Sequence, residues 1–431
     1  MRKIGIIKNE EEQLILKKIS KTPMMWKFQF YGFFKNLQFF EPFIYLIFIS
    51  WGNSLFQIGI LMLVREIITY LFEIPSGILA DNFGRKNELL LCFSFYIVAF
   101  IFYFLGPSYF FLILGSIFYG LGESFRSGTH KAMEMDWMEK NQLLEYKSFV
   151  YGRSRSWSLY GSALNSVLAA ILVFTVPADK WIFLLAIVPF TADFILISTY
   201  PAYMNTKTSD SSLKWGFLLK KSALNIKEIF KLKKLRISIF SSATYDAIFK
   251  SIKDYIQPIM TLLIIEIIQD FQLDNSNKDI YIKILLSILY ALFYIVSSFS
   301  SKNAYLFRKY FKSDPAAYNL LFDIFGALLL ILSLFIQFKI ALGVMIVYLI
   351  IYMIYNLRRP ILIGYIGNIA RKEERATVLS VESQTKSILT AVFAPLFGWI
   401  ADFSIPILFI SLGCMSLLIN WGFFRRNQKK F

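Results

Sequence analysis

At 431 residues, with 56% hydrophobic and 18% aromatic residues and apolar runs of about 20 residues recurring from end to end, the chain is too apolar for a soluble globule with one core. A formal net charge of +17 would suggest nucleic acid in a soluble protein. In a membrane chain the position of each basic residue matters more than the total, and no nucleic-acid partner is expected.

The first 27 residues mix both charge signs and lack a short apolar region followed by a small-residue cleavage site, so no removable signal peptide is expected there. From residue 28 onward the pattern predicts twelve membrane-crossing helices, at 28–50, 55–80, 88–105, 108–130, 154–176, 181–204, 237–268, 281–301, 316–336, 340–366, 378–401 and 404–424. The fold class is therefore an all-α integral membrane protein. An ionisable residue inside such a span is costly against lipid and should face a partner or a water-filled cavity.

Span one carries Lys35, Gln38, Glu41 and Tyr45; as a continuous helix it would set Gln38, Glu41 and Tyr45 on one face. Span two holds Arg65 and Glu66 near its middle, with Glu66, Tyr70 and Glu73 again at helical spacing. The loop after it reads GILADNFGRKNELL, with Gly77, Asp81, Gly84, Arg85 and Lys86 at its turn. Gly77 permits close helix approach, Gly84 can take a positive φ, and Asp81 can pair with Arg85 or cap a neighbouring helix. Span four offers Tyr119, Glu123, Arg126 and His130, of which Glu123 and Arg126 have the spacing of an ion pair. His130, near the inner surface, reads as a satisfied polar residue at a helix end, and Asp193 in span six as a packing or pairing residue.

Residues 205–236 form a basic linker with nine Lys and Arg, dividing the chain into two six-helix halves, 28–204 and 237–424, with a short tail at 425–431. In the second half, span seven lines up Asp246, Lys250, Lys253 and Gln257, and span nine holds Asp323, again a packing or pairing residue. Span ten has Tyr352, Tyr355, Arg358 and Arg359, and span eleven has Glu382 and Lys386 at the spacing of an ion pair. Cys92 and Cys414 lie inside apolar runs, far from any CxxC or Cys/His cluster, and are expected to pack in the interior. No metal site and no cofactor is expected.

With the N-terminus on the cytoplasmic side, the outer loops hold only Lys180, Lys278 and Lys339 of the 46 Lys and Arg. That asymmetry orients the chain in the plasma membrane with both termini inside. An internal echo supports the two halves: LGESFRSGTHKAMEMDWMEK follows span four as IYNLRRPILIGYIGNIARKE follows span ten. A second echo, GILAD at 77–81 and GWIAD at 398–402, falls on opposite sides of the membrane and reads as chance.

Twelve spans in two sixes, a basic central linker and G-x-x-x-D-x-x-G-R-K between spans two and three together resemble the major facilitator superfamily, whose signature is G-x-x-x-D-[RK]-x-G-[RK]-[RK]. Gly77, Asp81, Gly84, Arg85 and Lys86 match; Asn82 replaces a base with a neutral amide. The resemblance implies that this loop controls the cytoplasmic gate, and that spans one, two, four, seven, ten and eleven line a central cavity.

The expectation is thus a secondary active transporter, not an enzyme: a monomer that moves a small solute by alternating access and draws on a proton gradient. Glu41 is the first candidate for the proton-carrying group, because no opposite charge lies within one helical turn of it. No G-x-x-x-x-G-K-[ST] loop is present for ATP. Efflux of a drug-like or amphipathic compound is placed ahead of nutrient uptake, although span five lacks the glycine- and proline-rich motif usual in proton-antiporting exporters. A non-transporting membrane receptor or assembly protein of the same architecture is the rival from another class.

Overall fold

The structure, a computed structural model, describes residues 13–126, 129–205, 232–270, 278–370 and 375–426. Most of the basic linker and the ends of both terminal segments lie outside the described residues, as do the side chains of Gly77, Asp81 and Asn82. In chain order the helices are α1 (Pro23–Phe34), α2 (Ile44–Ser50), α3 (Leu55–Phe83), α4 (Arg85–Leu105), α5 (Tyr109–Arg126), α6 (Thr129–Lys140), α7 (Lys147–Thr175) and α8 (Trp181–Ser198). The second half supplies α9 (Lys233–Ile252), α10 (Ile256–Asp270), α11 (Lys278–Lys309), α12 (Asp314–Gln337), α13 (Ala341–Ile369), α14 (Arg375–Phe403) and α15 (Ile405–Ile419).

Each expected span coincides with helix. Among the described residues, eight helices are long and apolar enough to cross a membrane by length and composition. Spans four and five are helical but more polar. Spans one and seven correct the expectation of continuity: the first is broken between α1 and α2, and the seventh is interrupted by a 3₁₀ turn at Lys253–Tyr255 between α9 and α10. In both, a proline sits at the break, Pro42 and Pro258, and a proline has no N–H and crowds the carbonyl four residues earlier.

Helix starts repeat one device. Thr22, Ser313 and Ser404 each cap the helix they precede by accepting a backbone N–H three residues on, and each helix has a proline in its first two positions. Short loops then alternate the helices between two ends of the bundle. The end that carries the N-terminus and the linker is the basic end; the loops near residues 53, 107, 178, 339 and 404 make the far end.

Within the first half, α4 packs on α5 and α8, and α1 on α7; within the second, α12 packs on α15 and α13 on α11. The halves meet where α3 runs antiparallel to α14 and where α7 lies against α11. The α3–α14 approach is close: a Cβ on Gly59 would come within 2.5 Å of the Ala394 carbonyl oxygen, and one on Gly398 within 2.3 Å of that of Leu55. Cys92 is buried as expected, whereas Cys414 is exposed on the outward face of α15, where an apolar run meets lipid rather than protein.

At the basic end α6 closes the first half from below. His130 stacks on Tyr31 with ring centroids 3.6 Å apart and hydrogen-bonds the Tyr200 hydroxyl at 3.1 Å, a satisfied residue at a helix start. Glu134, on the same helix, accepts a hydrogen bond from Ser154 at 2.8 Å. Burial pushes its carboxyl up from 4.5 to about 7. The folded protein thus holds this proton to higher pH than the unfolded chain does, so the group's contribution to stability falls as pH rises from 4.5 through about 7. Glu134→Gln is expected to raise the apparent melting temperature at pH 8 while changing little at pH 4.5; equal effects at both pH values would refute the assignment.

Candidate functional site

The two helix breaks face each other across the halves. The unwound stretch at 35–43 cannot satisfy its own backbone, and a bilayer offers no water to do so. Asn165 of α7 accepts the Phe39 N–H at 2.7 Å, and Asn36 donates to the carbonyls of Gly32 and Ser158. From the second half, Gln257 accepts the Tyr45 N–H at 2.9 Å and donates to the Glu41 carbonyl at 3.0 Å. Its amide nitrogen also reaches the Tyr290 hydroxyl at 2.9 Å. One glutamine thus ties the C-terminal end of the first break to the second half.

Charge follows the same seam. The Lys253 ammonium lies 3.4 Å from the Glu41 carboxylate and 3.1 Å from that of Asp254. Tyr294 donates to Glu41, and Tyr290 to Asp254 at 2.7 Å. A small cavity of about 50 Å³ adjoins this cluster, lined among others by Tyr45, Met62, Arg65, Tyr103 and Asp254, with room for a few waters. One turn further along α3, the buried Glu66 takes an ion pair from Lys250 at 2.6 Å and lies 3.7 Å from the Arg65 guanidinium. Arg65 in turn sits over the ring of Tyr119, 5.4 Å from its centroid.

Most other expected site residues are held within one half. Glu123 pairs with Arg126 at 2.7 Å, and the Tyr96 hydroxyl joins both. Gln38 accepts from Tyr119 at 3.4 Å, and Glu73 hydrogen-bonds Gln384 across the seam. In the second half, Arg359 pairs with the buried Asp246. Arg358, only 1% exposed, donates to the Tyr318 carbonyl and to Ser241, with its guanidinium 4.2 Å from the Tyr245 ring centroid. Arg358 therefore joins helices inside the half rather than lining a cavity. Tyr355 stacks on Phe249 at 3.9 Å.

Two expectations fail. Gln38, Glu41 and Tyr45 do not share one helical face, because Pro42 and the tied backbone unwind the chain between them. Nor do Glu382 and Lys386 pair: the Glu382 carboxylate is buried and accepts from Ser242 at 2.6 Å. Among the described residues Lys386 forms no ion pair, and its charge lies among those of Arg359, Glu382, Glu66 and Glu73. Asp193 is fully buried with no hydrogen-bond partner among the described residues, whereas Asp323 pairs with Arg425 at 2.9 Å. Asp254, Tyr290 and Tyr294 join the cluster unforeseen. For Asp254 the signal was Pro258, since a break there sets residue 254 in the turn between α9 and α10; no local signal marked Tyr290 and Tyr294.

The loop between α3 and α4 is engaged within the first half. Gly84 has φ +94°, and a Cβ there would come within 2.1 Å of the Asn205 side-chain oxygen, which accepts the Lys86 N–H at 3.2 Å. Arg85 pairs with Asp136 at 2.6 Å, and Lys86 caps the end of α8 through the carbonyls of Ser198 and Tyr200.

If the Glu66–Lys250 pair joins the halves, each single reversal leaves like charges in contact. Glu66→Lys or Lys250→Glu alone is expected to cost about 3 kcal/mol, and the double exchange to recover part of it. Additive losses in melting temperature would count against the pair.

The profile of the Major Facilitator Superfamily matches residues 31–388. An uncharacterized MFS-type transporter YxaM of Bacillus subtilis (strain 168) is 24% identical over 52% of this chain and 54% of its own length. The sucrose permease of Escherichia coli is 29% identical over 31% of this chain and 36% of the permease. The matches thus span about half or less of these relatives. Among solved structures, the nucleoside transporter NupG superposes with a TM-score of 0.75 at 11% identity, over 95% of this chain and all of NupG. A POT family transporter in complex with 5-aminolevulinic acid follows at 0.72 and 14%, over 94% and 96% of the two chains. The D-xylose-proton symporter superposes at 0.64 and 11%, over 94% and 97%. The family match covers most of the chain, and among the described residues several helices are long and apolar enough to cross a membrane: the chain belongs to the Major Facilitator Superfamily and is a multi-pass membrane protein.

Proposed function

We propose that the chain is a proton-coupled secondary transporter that works by alternating access about the seam between its halves, with Glu41 as the coupling carboxyl. The observation that carries the proposal is the ion pair from Glu41 to Lys253 across the two helix breaks. A proton and Lys253 compete for the same carboxylate. Protonation from the far side would release Lys253, remove a bond between the halves and let that end open; proton loss toward the basic end would restore the pair and close it. Discontinuous helices at the interface of repeats supply such sites because their free backbone groups bind solute and their breaks let the halves rock.

The solute class follows from the lining. Carboxylates, ammonium and guanidinium groups and tyrosines side by side suit an amphipathic or zwitterionic compound better than a plain sugar. Export of such a compound is the first reading. Uptake is the second, favoured by the likeness to a sucrose permease and a D-xylose-proton symporter. In either direction the working unit is one chain in the plasma membrane with both termini cytoplasmic, and the gating loop at Gly77, Asp81, Gly84, Arg85 and Lys86 acts on the inner face.

The test uses purified protein in liposomes with an imposed pH gradient and a panel of nucleosides, peptides, sugars and cationic drugs. Solute-dependent proton flux is expected, and its sign gives the direction; no flux across the panel would count against coupling. Glu41→Gln is expected to reduce gradient-driven transport by about a hundredfold while leaving solute exchange within a few-fold, the range over which a single proton-transfer group acts. Undiminished gradient-driven transport in that variant would remove Glu41 from the role.

A further inference from the structure

The second echo, GILAD at 77–81 and GWIAD at 398–402, acquires a place in the fold. The two copies end the two antiparallel helices of the seam: residues 77–81 close α3 at the basic end, and 398–402 close α14 at the far end. At the far end the Asp402 carboxylate crosses to the other half, accepting the Leu55 N–H at 2.8 Å with one oxygen and the Phe56 N–H at 2.9 Å with the other. Those are the first two residues of α3.

The rest of that helix start is satisfied from within. The Ser54 hydroxyl accepts the Gln57 N–H at 3.2 Å, and the Gln57 side chain accepts the Ser54 N–H at 2.9 Å, a closed capping box. The Ile58 N–H bonds to the Ser54 carbonyl at 3.0 Å. Only the first two donors of α3 are left for a partner, and the partner comes from the opposite half. Gly398, in the same five-residue motif, permits the approach, since any side chain there would strike the α3 backbone.

We infer that Asp402 is a positioning residue of the transport cycle: a detachable cap on α3 that latches the far end shut and lets go when the halves part there. Asp402 is exposed, so on opening both the carboxylate and the two N–H groups pass to water without a buried orphan. The latch can therefore open without unwinding either helix. Asp81 stands at the matching place on α3, at the other end of the pair, where α14 begins at Arg375. This inference rests on alternating access but not on proton coupling or on Glu41.

The test reads the separation of the far ends directly. With Cys92 and Cys414 replaced, spin labels at Ser108→Cys and Phe338→Cys report on the two halves in liposomes. Asp402→Asn is expected to shift the ratio of long to short distances by about fivefold, the effect of losing one helix cap. Asp402→Glu should stay near the parent, because the carboxylate is kept. Ser54→Ala breaks the cap inside the half; it should lower the melting temperature and leave the distances unchanged. Gly398→Ala reaches the same contact sterically and should lengthen the distances, which keeps the test open if Asp402→Asn folds poorly. Unchanged distances in Asp402→Asn and Gly398→Ala would overturn the latch, as would an equal shift in Ser54→Ala. Either result would leave the flux experiment untouched, so failure of the latch and failure of proton coupling are separable.

Discussion

The bundle depends on how two interrupted helices meet in a medium that cannot hydrate them. A bilayer tolerates broken backbone only where protein or a water-lined cavity satisfies it. Here other elements complete the breaks: Asn165 reaches the first from α7 and Gln257 meets its C-terminal end from α10, while the Tyr348 and Tyr352 hydroxyls donate to the Ile252 and Lys253 carbonyls at the second. Because the Gln257 bonds cross the boundary between halves, the interaction that helps make the first break tolerable also ties the halves to each other. Any motion of one half on the other must exchange these bonds, and the titratable groups Glu41, Lys253 and Asp254 sit among them.

Within each half the polar residues have the opposite effect. The Tyr96–Glu123–Arg126 triad, the Arg359–Asp246 pair and the buried Arg358 tie helices of one half to each other. Arg85 and Lys86 do so at the basic end, binding α6 and the end of α8. Buried ion pairs add little net stability but resist being pulled apart, since separation leaves an uncompensated charge. The seam between the halves, by contrast, includes bonds at exposed residues such as Asp402.

Much of this was legible in the sequence. Spans, linker and loop motif follow from hydropathy, basic-residue placement and a ten-residue pattern, and the Glu123–Arg126 pair follows from helical spacing alone. Helical spacing failed where the helix itself stops. It grouped Gln38 with Glu41 and passed over Asp254, because the periodicity assumed a continuous α-helix through Pro42 and Pro258. It also paired Glu382 with Lys386, where a serine on a neighbouring helix competes better for the carboxylate. Which half a charge would bind was beyond reach of local pattern: the partners of Glu41 and Glu66 come from residues about 200 positions away.

The prolines also expose a broken symmetry. Span one reads Gln38-x-x-Glu41-Pro42 and span seven Asp254-x-x-Gln257-Pro258, so each half carries one carboxyl and one amide at matching places, in reversed order. Faithful copies would set like against like at the pseudo-twofold axis, and two carboxylates in one desolvated place repel. The reversal sets Gln257 against the Glu41 segment instead, and its amide both gives a hydrogen bond to the Glu41 main-chain carbonyl and accepts one from the Tyr45 N–H. The reversed order makes the two breaks complementary to each other rather than alike.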